Sequence, residues 1–439
     1  MLRSSNFRGT LGQMNSASLP HQPEHTFNGL GIAPKILDIL TALKFTVPTP
    51  IQYKAIPSAI EGKDVVGVAQ TGTGKTLAFG IPMLQRLVGG DGKGLILLPT
   101  RELAVQVEET LSRIGRPLGL RTAVFIGGAP MGPQMAALRR DPHVIIATPG
   151  RLLDHLEQKN LKLDHVEILV LDEADRMLDM GFWPQIRRII TLVPKERQTM
   201  LFSATLSREI MELATGHMKL PTRIEVAPSG TTADKVSQEF FIVRKDEKLR
   251  LLEKLLGDYR GSTLVFSRTK HGARKIMSAV CGMGHKAAEI HGNRSLSQRR
   301  DALEGFKEGR YRVLVATDIA SRGIDVKGIE LVINYDLPTE SADYVHRIGR
   351  TARAGAEGHA ISFAEPTQRR EMRDIEHLIR KTLPISTLPS LPPARALPPS
   401  AFKDDRPRGG SRSYASRRPF RGSGSSRSHR PTGPRRSYR

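Results

Sequence analysis

Cysteine is nearly absent from the sequence: Cys281 is the single one among 439 residues. One thiol cannot form an intrachain disulfide or a cysteine-rich zinc site, so both kinds of cross-link are excluded and a reducing compartment is expected. No run of about 18 apolar residues is present, which argues against a transmembrane helix. The N-terminus also lacks the apolar core, about 7 to 15 residues long, of a secretory signal. We therefore expect a cytoplasmic protein that is not attached to a membrane.

Acidic residues are too few to balance the basic ones. The chain has 44 Asp and Glu against 67 Lys and Arg, a formal net charge of +23 at pH 7. A surplus of this size indicates a polyanionic partner. Residues 1–23 contain Arg and Ser but no acid, which suits a disordered leader or an organelle transit peptide. We expect the leader.

Short apolar runs alternate with helical patterns along residues 24–226. Examples of such runs are Val65–Val68, residues 95–98, Val144–Ala147 and residues 168–171. Runs of this kind are typical of buried parallel strands. The helical patterns between them, such as residues 101–114 and 209–214, are long enough to be crossover connections. The pattern predicts an α/β domain with a parallel sheet.

The alternation stops at residues 227–235, which are rich in turn formers, and starts again over residues 236–384. We interpret the first segment as a linker and the second as another α/β domain. Its predicted strands include Thr263–Phe266, Val313–Ala316 and Leu331–Asn334.

The composition changes once more after Pro384. Five prolines between residues 389 and 399 predict a stiff, extended linker. Residues 401–439 contain 12 Lys and Arg but only Asp404 and Asp405, so this segment carries +10 of the net charge. With so few apolar residues, residues 385–439 are expected to be disordered.

A phosphate-binding loop is indicated at residues 69–76 (AQTGTGKT), which follow the first predicted strand and precede a helical pattern. Backbone N–H groups of such a loop surround phosphates, Lys75 reaches the β- and γ-phosphates, and Thr76 binds Mg²⁺. Ala69 replaces the first Gly of the general pattern. We favour nucleotide binding over an ordinary Gly-rich turn.

Two acids, Asp172 and Glu173, follow the predicted strand at residues 168–171. The carboxyl ends of parallel strands are where ligands bind. We expect Asp172 to hold Mg²⁺ through water and Glu173 to orient or deprotonate the attacking water. The alternative is that these acids only cap the next helix, as Asp175 could.

Several arginines are clustered in residues 346–353 (HRIGRTAR). A guanidinium stabilises the charge that spreads over a transferring phosphoryl group. Taken alone, the cluster would indicate a solvated or RNA-facing surface, whereas a phosphate loop in the other domain favours a catalytic role.

Over about residues 27–384 the sequence resembles the DEAD-box RNA helicases of superfamily 2, named for the tetrapeptide at residues 172–175. The other motifs follow in the family's order: TPIQ at 49–52, PTREL at 99–103, GG at 127–128, TPGR at 148–151, SAT at 203–205, VFSR at 265–268, TD at 317–318, RGID at 322–325 and HRIGRTAR at 346–353. The spacing and the tail are most similar to the bacterial RhlE-type subgroup. The resemblance implies two RecA-like domains in tandem, followed by a disordered basic tail.

The resemblance also implies an ATP site. Phe27 would stack on adenine and Gln52 would pair with its N6 and N7 edge, unless Phe27 is a core residue and Gln52 a helix surface residue. The remaining nucleotide contacts would be Thr71, Gly72, Thr73, Gly74, Lys75 and Thr76, with Gly323 and Asp325 from the second domain. Arg350 and Arg353 match the arginine fingers. ATP with Mg²⁺, on Thr76 and Asp172, would join the two domains.

RNA contacts implied by the family are Arg101, Gly128, Thr148, Gly150 and Arg151 in the first domain and Arg268, Gly292 and Thr317 in the second. These residue types contact phosphates and do not read base edges, so binding is expected to be largely independent of sequence. Ser203 and Thr205 resemble the link between ATP state and RNA opening, with His346 as partner across the cleft.

Two positions depart from the family's usual pattern. Leu296 stands where Gln is common, although Arg299 is kept, which leaves an interdomain or RNA-coupling contact unassigned. Ala352 replaces a common Gly, a change that a helical backbone tolerates. Neither removes a catalytic group.

We predict an ATP-dependent RNA helicase that opens short duplexes or remodels RNA–protein complexes, with RNA-stimulated ATP hydrolysis. One alternative is an ATP-gated RNA clamp or annealing factor, and another is a DNA-translocating motor of superfamily 2. Ribosome-assembly or RNA-degradation partners are expected, and a monomer is assumed.

Overall fold

A computed structural model describes residues 25–70, 72–226, 236–318, 328–351 and 358–393 of the protein. All of them belong to one compact unit. The predicted linker, residues 227–235, the leader and the basic tail from residue 394 onward lie outside the described residues.

The first domain is a parallel sheet of seven strands with helices on both faces. Its strands are β1 (Val65–Val68), β2 (Lys93–Leu97), β3 (Thr122–Phe125), β4 (Val144–Ala147), β5 (Val166–Leu171), β6 (Gln198–Ser203) and β7 (Thr222–Glu225). Its helices are α1 (Pro34–Ala42), α2 (Pro50–Ile60), α3 (Lys75–Leu87), α4 (Arg101–Gly115), α5 (Met131–Leu138), α6 (Pro149–Glu157), α7 (Ala174–Asp179), α8 (Trp183–Leu192) and α9 (Arg208–His217).

The second domain repeats this plan with another parallel sheet of seven strands. Its strands are β8 (Val236–Ile242), β9 (Thr263–Phe266), β10 (Ala287–Ile290), β11 (Val313–Ala316), β12 (Leu331–Asn334), β13 (Gly358–Ala364) and β14 (Ile385–Ser386). Its described helices are α10 (Lys248–Asp258), α11 (Lys270–Gly282), α12 (Leu296–Lys307), α13 (Ser341–Ile348) and α14 (Arg369–Ile379).

The strand orders of the two sheets correspond position by position. The first is β3-β4-β2-β5-β6-β1-β7 and the second is β10-β11-β9-β12-β13-β8-β14. Each strand of the first domain therefore has an equivalent in the second, with β1 matching β8 and β5 matching β12. The two tandem RecA-like domains predicted from the sequence are confirmed.

The inner strands of each sheet, such as β4 and β11, are apolar and buried along their whole length, so both faces of the sheet are covered there. Alternate residues of β2 show this: Ile96 packs into the cluster on one face, while Leu95 and Leu97 pack into the cluster on the other. The strands predicted at Val65–Val68 and Val144–Ala147 begin and end in the structure at the predicted residues.

The second domain continues past Pro384, where the sequence predicted an extended linker. Ile385 and Ser386 form β14 beside β8, and Leu388 and Leu391 pack against the core. Arg250 on α10 donates to the backbone carbonyls of Leu391 and Pro392. The prediction of disorder is therefore wrong for residues 385–393, because proline is compatible with an edge segment whose apolar side chains pack on the domain.

Within the described parts of the chain, no helix is long and apolar enough to span a membrane.

Candidate functional site

The phosphate loop runs from the end of β1 to the start of α3. Gly74, at φ +90°, is the last residue before the helix, and a Cβ there would lie 2.4 Å from Nε2 of Gln52. Glycine satisfies both conditions. Because α3 begins at Lys75, the unpaired N–H groups of its first turn and the positive end of the helix dipole face the loop. This arrangement fits the phosphates of a nucleotide. Thr71 lies outside the described residues.

Lys75 and Asp172 lie side by side and are almost completely buried, with Nζ 3.5 Å from Oδ1. Burial raises the pKa of Asp172 to about 6, and the Lys75 ammonium offsets only part of that rise. A buried carboxylate that is costly to ionise is stabilised by a further cation beside it. The pair therefore fits Mg²⁺ on a phosphate chain, with Thr76 in the first turn of α3 as the other predicted ligand.

The backbone of Glu173 is in the left-handed region, at φ +54°. Such a conformation is uncommon for a non-glycine residue, and it clusters at functional sites. Oε2 of Glu173 accepts a hydrogen bond from Arg176 at 3.0 Å. Arg176, which the sequence analysis did not single out, thereby holds the carboxylate predicted to act on water.

Asp175 connects the tetrapeptide to the loop after β6. One of its carboxylate oxygens accepts from the N–H groups of Ala204 and Thr205, each at 3.0 Å. Its own N–H donates to Oγ of Ser203, which in turn donates to the carbonyl of Thr205. The role of Asp175 is therefore not limited to capping a helix, since it ties the predicted coupling residues to the acidic tetrapeptide.

Gln52 reaches the phosphate loop from α2. Its Oε1 accepts from the Thr49 N–H and its Nε2 donates to the Gly74 carbonyl, both at 2.9 Å. A side-chain amide has two donors and two acceptor lone pairs, so one of each is left over, which is what the N6 and N7 edge of adenine needs. Gln52 is buried, so it is not a helix surface residue. Phe27 lies in the apolar core, as the alternative for that residue stated.

The predicted RNA contacts fall at the carboxyl ends of equivalent strands in the two sheets. In the first domain, Arg101, Gly128, Thr148, Gly150 and Arg151 follow the neighbouring strands β2, β3 and β4. In the second, Arg268, Gly292 and Thr317 follow the equivalent strands β9, β10 and β11. The phosphate loop follows β1 and the acidic tetrapeptide follows β5, in the other half of the sheet. The first domain thus has a separate part of its sheet edge for the predicted RNA strand.

The loop after β3 is shaped by contacts to its backbone. Gly128 has φ +73°, and a Cβ there would lie 2.1 Å from the Arg101 guanidinium. Arg151 donates to the Ala129 carbonyl at 3.0 Å. Close approach of backbone and arginines makes a surface suited to phosphates.

Gln134, a buried residue of α5, forms hydrogen bonds with the backbone of the same loop. The sequence analysis did not identify it. Its Oε1 accepts from the Ile126 N–H at 3.2 Å. Its Nε2 lies within hydrogen-bond distance of the carbonyls of Ile126, Ala129 and Pro130. The loop is therefore held by this amide together with Arg151. A polar residue six positions after the paired glycines is too weak a signal to reveal the role of Gln134.

Comparison with known proteins agrees with this geometry. The family described as DEAD/DEAH box helicase matches residues 49–213, and the helicase conserved C-terminal domain matches residues 247–355. The ATP-dependent rRNA helicase RRP3 of Debaryomyces hansenii is 43% identical over 370 residues, covering 83% of this chain and 77% of the relative. The ATP-dependent RNA helicase CshA of Listeria monocytogenes is 43% identical over 361 residues, covering 81% and 69%.

A solved structure has the same fold. It is S. cerevisiae Dbp5 bound to RNA and ADP BeF3, with a TM-score of 0.74 and 31% identity over 82% of this chain and 95% of that one.

The chain belongs to the DEAD-box helicases.

In this DEAD-box helicase the arginine cluster is only partly helical. α13 ends at Ile348, so Arg350 lies beyond the helix, where it is buried and donates to the His346 carbonyl at 3.2 Å. Arg350 and His346 line a small cavity together with Arg176 of the first domain. The structure thus brings the predicted finger to the side chain that holds Glu173. Gly323, Asp325, Ala352 and Arg353 lie outside the described residues.

Arg347 is a further residue that the sequence analysis did not assign. Its guanidinium forms a two-pronged ion pair with Asp318, at 2.5 and 2.7 Å, and also donates to Asn334 and to the Asp336 carbonyl. Bidentate pairs of this kind fix geometry as well as charge. Arg347 therefore joins the strand ends of the second domain.

Leu296 makes the contact that the sequence left unassigned. It packs, partly buried, against the apolar core of the first domain. One turn further along α12, Arg299 forms an ion pair with Glu102 on α4 at 2.7 Å, with both side chains about nine-tenths buried. This helicase thus has an apolar contact between its domains at position 296, where the family commonly has Gln, and an ionic contact beside it at position 299.

Proposed function

We propose that this ATP-dependent RNA helicase binds ATP between its domains and hydrolyses it when the second domain closes on the first. Lys75 and the N–H groups of the phosphate loop would hold the β- and γ-phosphates. Thr76 and Asp172 would hold Mg²⁺, which when bound neutralises charge on the phosphates. Glu173 would orient the attacking water, and Arg350, with Arg353, would stabilise the charge on the transferring group.

RNA would cross the other half of each sheet edge, on the residues that follow β2, β3 and β4 and their equivalents. Contacts there involve backbone and arginine, so binding would be largely independent of sequence, and 2′-hydroxyl groups would distinguish RNA from DNA. Closure would bend one strand and separate it from its partner. Asp175 supports this coupling, because it connects the tetrapeptide with Ser203 and Thr205, and His346 is their proposed partner across the cleft.

The observation that carries the proposal is the division of the first domain's sheet edge into a half with the phosphate loop and the acidic tetrapeptide and a half with the predicted RNA residues. The test is strand displacement of a short RNA duplex with ATP, together with ATP hydrolysis in the presence of RNA or DNA. Displacement with stimulation by RNA supports the proposal. Annealing without displacement would favour an RNA clamp, and equal stimulation by DNA would favour a DNA-translocating motor.

We also propose the RhlE-type subgroup, on the spacing of the motifs and the basic tail, and a cytoplasmic location, on the single thiol of Cys281, which fits a reducing compartment. A monomer is assumed. The similarity to an rRNA helicase supports ribosomal RNA precursors as substrates and ribosome-assembly partners, with RNA degradation as the alternative. Crosslinking in cells followed by sequencing of the bound RNA tests this. Enrichment of ribosomal precursors supports it, and enrichment of messenger fragments supports the alternative.

A further inference from the structure

The second domain contains a copy of the lysine–aspartate pair of the phosphate site. Lys75 is the first residue of α3, which follows β1, and Lys248 is the first residue of α10, which follows the equivalent strand β8. Asp172 follows β5, and Asp336 lies two residues beyond the equivalent strand β12. The distances are similar: Nζ to Oδ1 is 3.5 Å in the first domain and 3.2 Å in the second.

The copy is not suited to phosphates. Residues 243–247, which stand in place of the phosphate loop, contain no glycine. Lys248 has a second carboxylate partner, Glu365, with Nζ 3.0 Å from Oε1, and its side chain is only 3% exposed. With two carboxylates beside it, the charge of the Lys248 ammonium is already compensated, so this lysine attracts a phosphate chain less than Lys75 does.

Asp336 instead connects the pair to the loop after β9. Its Oδ1 faces Lys248, and its Oδ2 accepts from the Arg268 N–H at 3.0 Å and from Oγ of Ser267 at 3.3 Å. The neighbouring Leu337 carbonyl accepts from the Arg268 guanidinium at 3.2 Å. Both the backbone and the side chain of Arg268 are therefore fixed by the turn at residues 336–337.

These hydrogen bonds carry much of the order of the loop. Arg268 is exposed, and with Thr269 it lines a cavity of about 570 Å³ between α10 and α11. Side-chain packing therefore supports the loop less on the side that faces this cavity. Hydrogen bonds to a charged group are stronger than those between neutral groups.

We propose that Asp336, held by Lys248, is a positioning residue for Arg268 and thereby for RNA. The inference rests on the proposed function, in which Arg268 contacts RNA. In this view the second domain keeps the lysine–aspartate geometry of a nucleotide site and uses it to orient an RNA contact.

Asp336→Asn is the test variant. Whichever way its amide faces, the nitrogen meets a donor, either the Lys248 ammonium or the Arg268 N–H. We expect the KM for RNA in the ATPase assay to rise about tenfold, while kcat at saturating RNA falls less than about twofold.

Glu365→Gln is the matched control. It weakens a carboxylate contact with the same Lys248, while the N–H of Glu365 donates to Gln368 and not to the loop of Arg268. We expect a lowered melting temperature and an unchanged KM for RNA. An equal rise of the KM for RNA in both variants would indicate a purely structural role of the group and would overturn the inference. An unchanged KM for RNA in Asp336→Asn would overturn it as well.

Two further variants keep the test decisive. If Asp336→Asn does not fold, Lys248→Arg retains the charge, but a planar guanidinium cannot take the place of the compact ammonium between Asp336 and Glu365. The KM for RNA should therefore rise, and an unchanged KM refutes the inference. Arg268→Ala separates the inference from the proposed function. An unchanged KM in Arg268→Ala contradicts the RNA contact itself, whereas a raised KM there with none in Asp336→Asn contradicts only the role of Asp336.

Discussion

Arg176 donates a hydrogen bond to Glu173 across 3.0 Å, and both side chains are almost completely buried. The second terminal nitrogen of Arg176 has no hydrogen-bond partner among the residues described. The same guanidinium lines the small cavity that also contains Arg350. The carboxylate proposed to act on water is therefore oriented by a side chain that faces the second domain.

Glu173→Gln should retain ATP and RNA binding and lower RNA-stimulated hydrolysis by more than about a hundredfold. The amide keeps the shape and an acceptor for Arg176 but cannot orient or deprotonate water as a carboxylate does. Nucleotide binding and turnover are measured separately, with Lys75→Ala as the comparison, since it should weaken nucleotide binding itself. Turnover close to the wild-type rate would contradict the assigned role.

Arg350→Ala should leave ATP affinity within several-fold and lower hydrolysis by about a thousandfold. The reason is that a finger acts on charge that develops in the transition state. Stimulation by RNA should also decrease. Single-turnover hydrolysis with bound ATP is the measurement, and an unchanged rate would mean that this buried arginine has only a structural role.

Gln134→Leu should weaken RNA binding about tenfold, because the loop that contains Gly128 loses its central amide. Gln198→Leu is the matched control in the same domain: Gln198 is also buried and donates to the Ala59 and Lys63 carbonyls, but it is not part of the RNA loop. Both variants should lower the melting temperature. Equal RNA affinity in the two would show that Gln134 only stabilises the fold.

His155 should make the stability of the first domain depend on pH. The residue is buried against Phe125, and desolvation, followed by the Arg151 charge, lowers its pKa below the ordinary 6.5. The unfolded chain then binds more protons than the folded one, so this contribution is complete above about pH 6.5 and is lost as the pH falls. Between pH 7.5 and 5.5 the melting temperature of His155→Asn should fall less than that of the wild type. Parallel curves would contradict the shift.

Deleting residues 401–439 should weaken RNA affinity and its salt dependence, because 12 basic residues can contact phosphates without a folded core. At about 0.7 units of slope per contact on single strands, we expect a loss of about 3 to 5 units. ATP turnover at saturating RNA should persist. The measurement is affinity for one single-stranded RNA over a salt series. Parallel plots of log affinity against log salt would leave the tail without a role in RNA binding.

Local sequence patterns predicted the strands and the phosphate loop, because apolar runs and glycine spacing depend on neighbouring residues. Contacts made by tertiary structure could not be predicted in this way. Gln134 and Asp336 bind loops that approach them only in the folded chain, and single polar residues have no pattern. The segment at residues 385–393 was misjudged because its prolines outweighed Leu388 and Leu391, whose spacing was an available signal.

The contact of Leu296 and Arg299 with the first domain has a consequence for temperature. Burial of apolar surface such as that of Leu296 stabilises less on cooling. The cost of removing the charges of Arg299 and Glu102 from water is also greater at low temperature. The contact between the two domains at this place is therefore weaker at low temperature. With Gln at position 296, only the ionic part of this temperature dependence would be left.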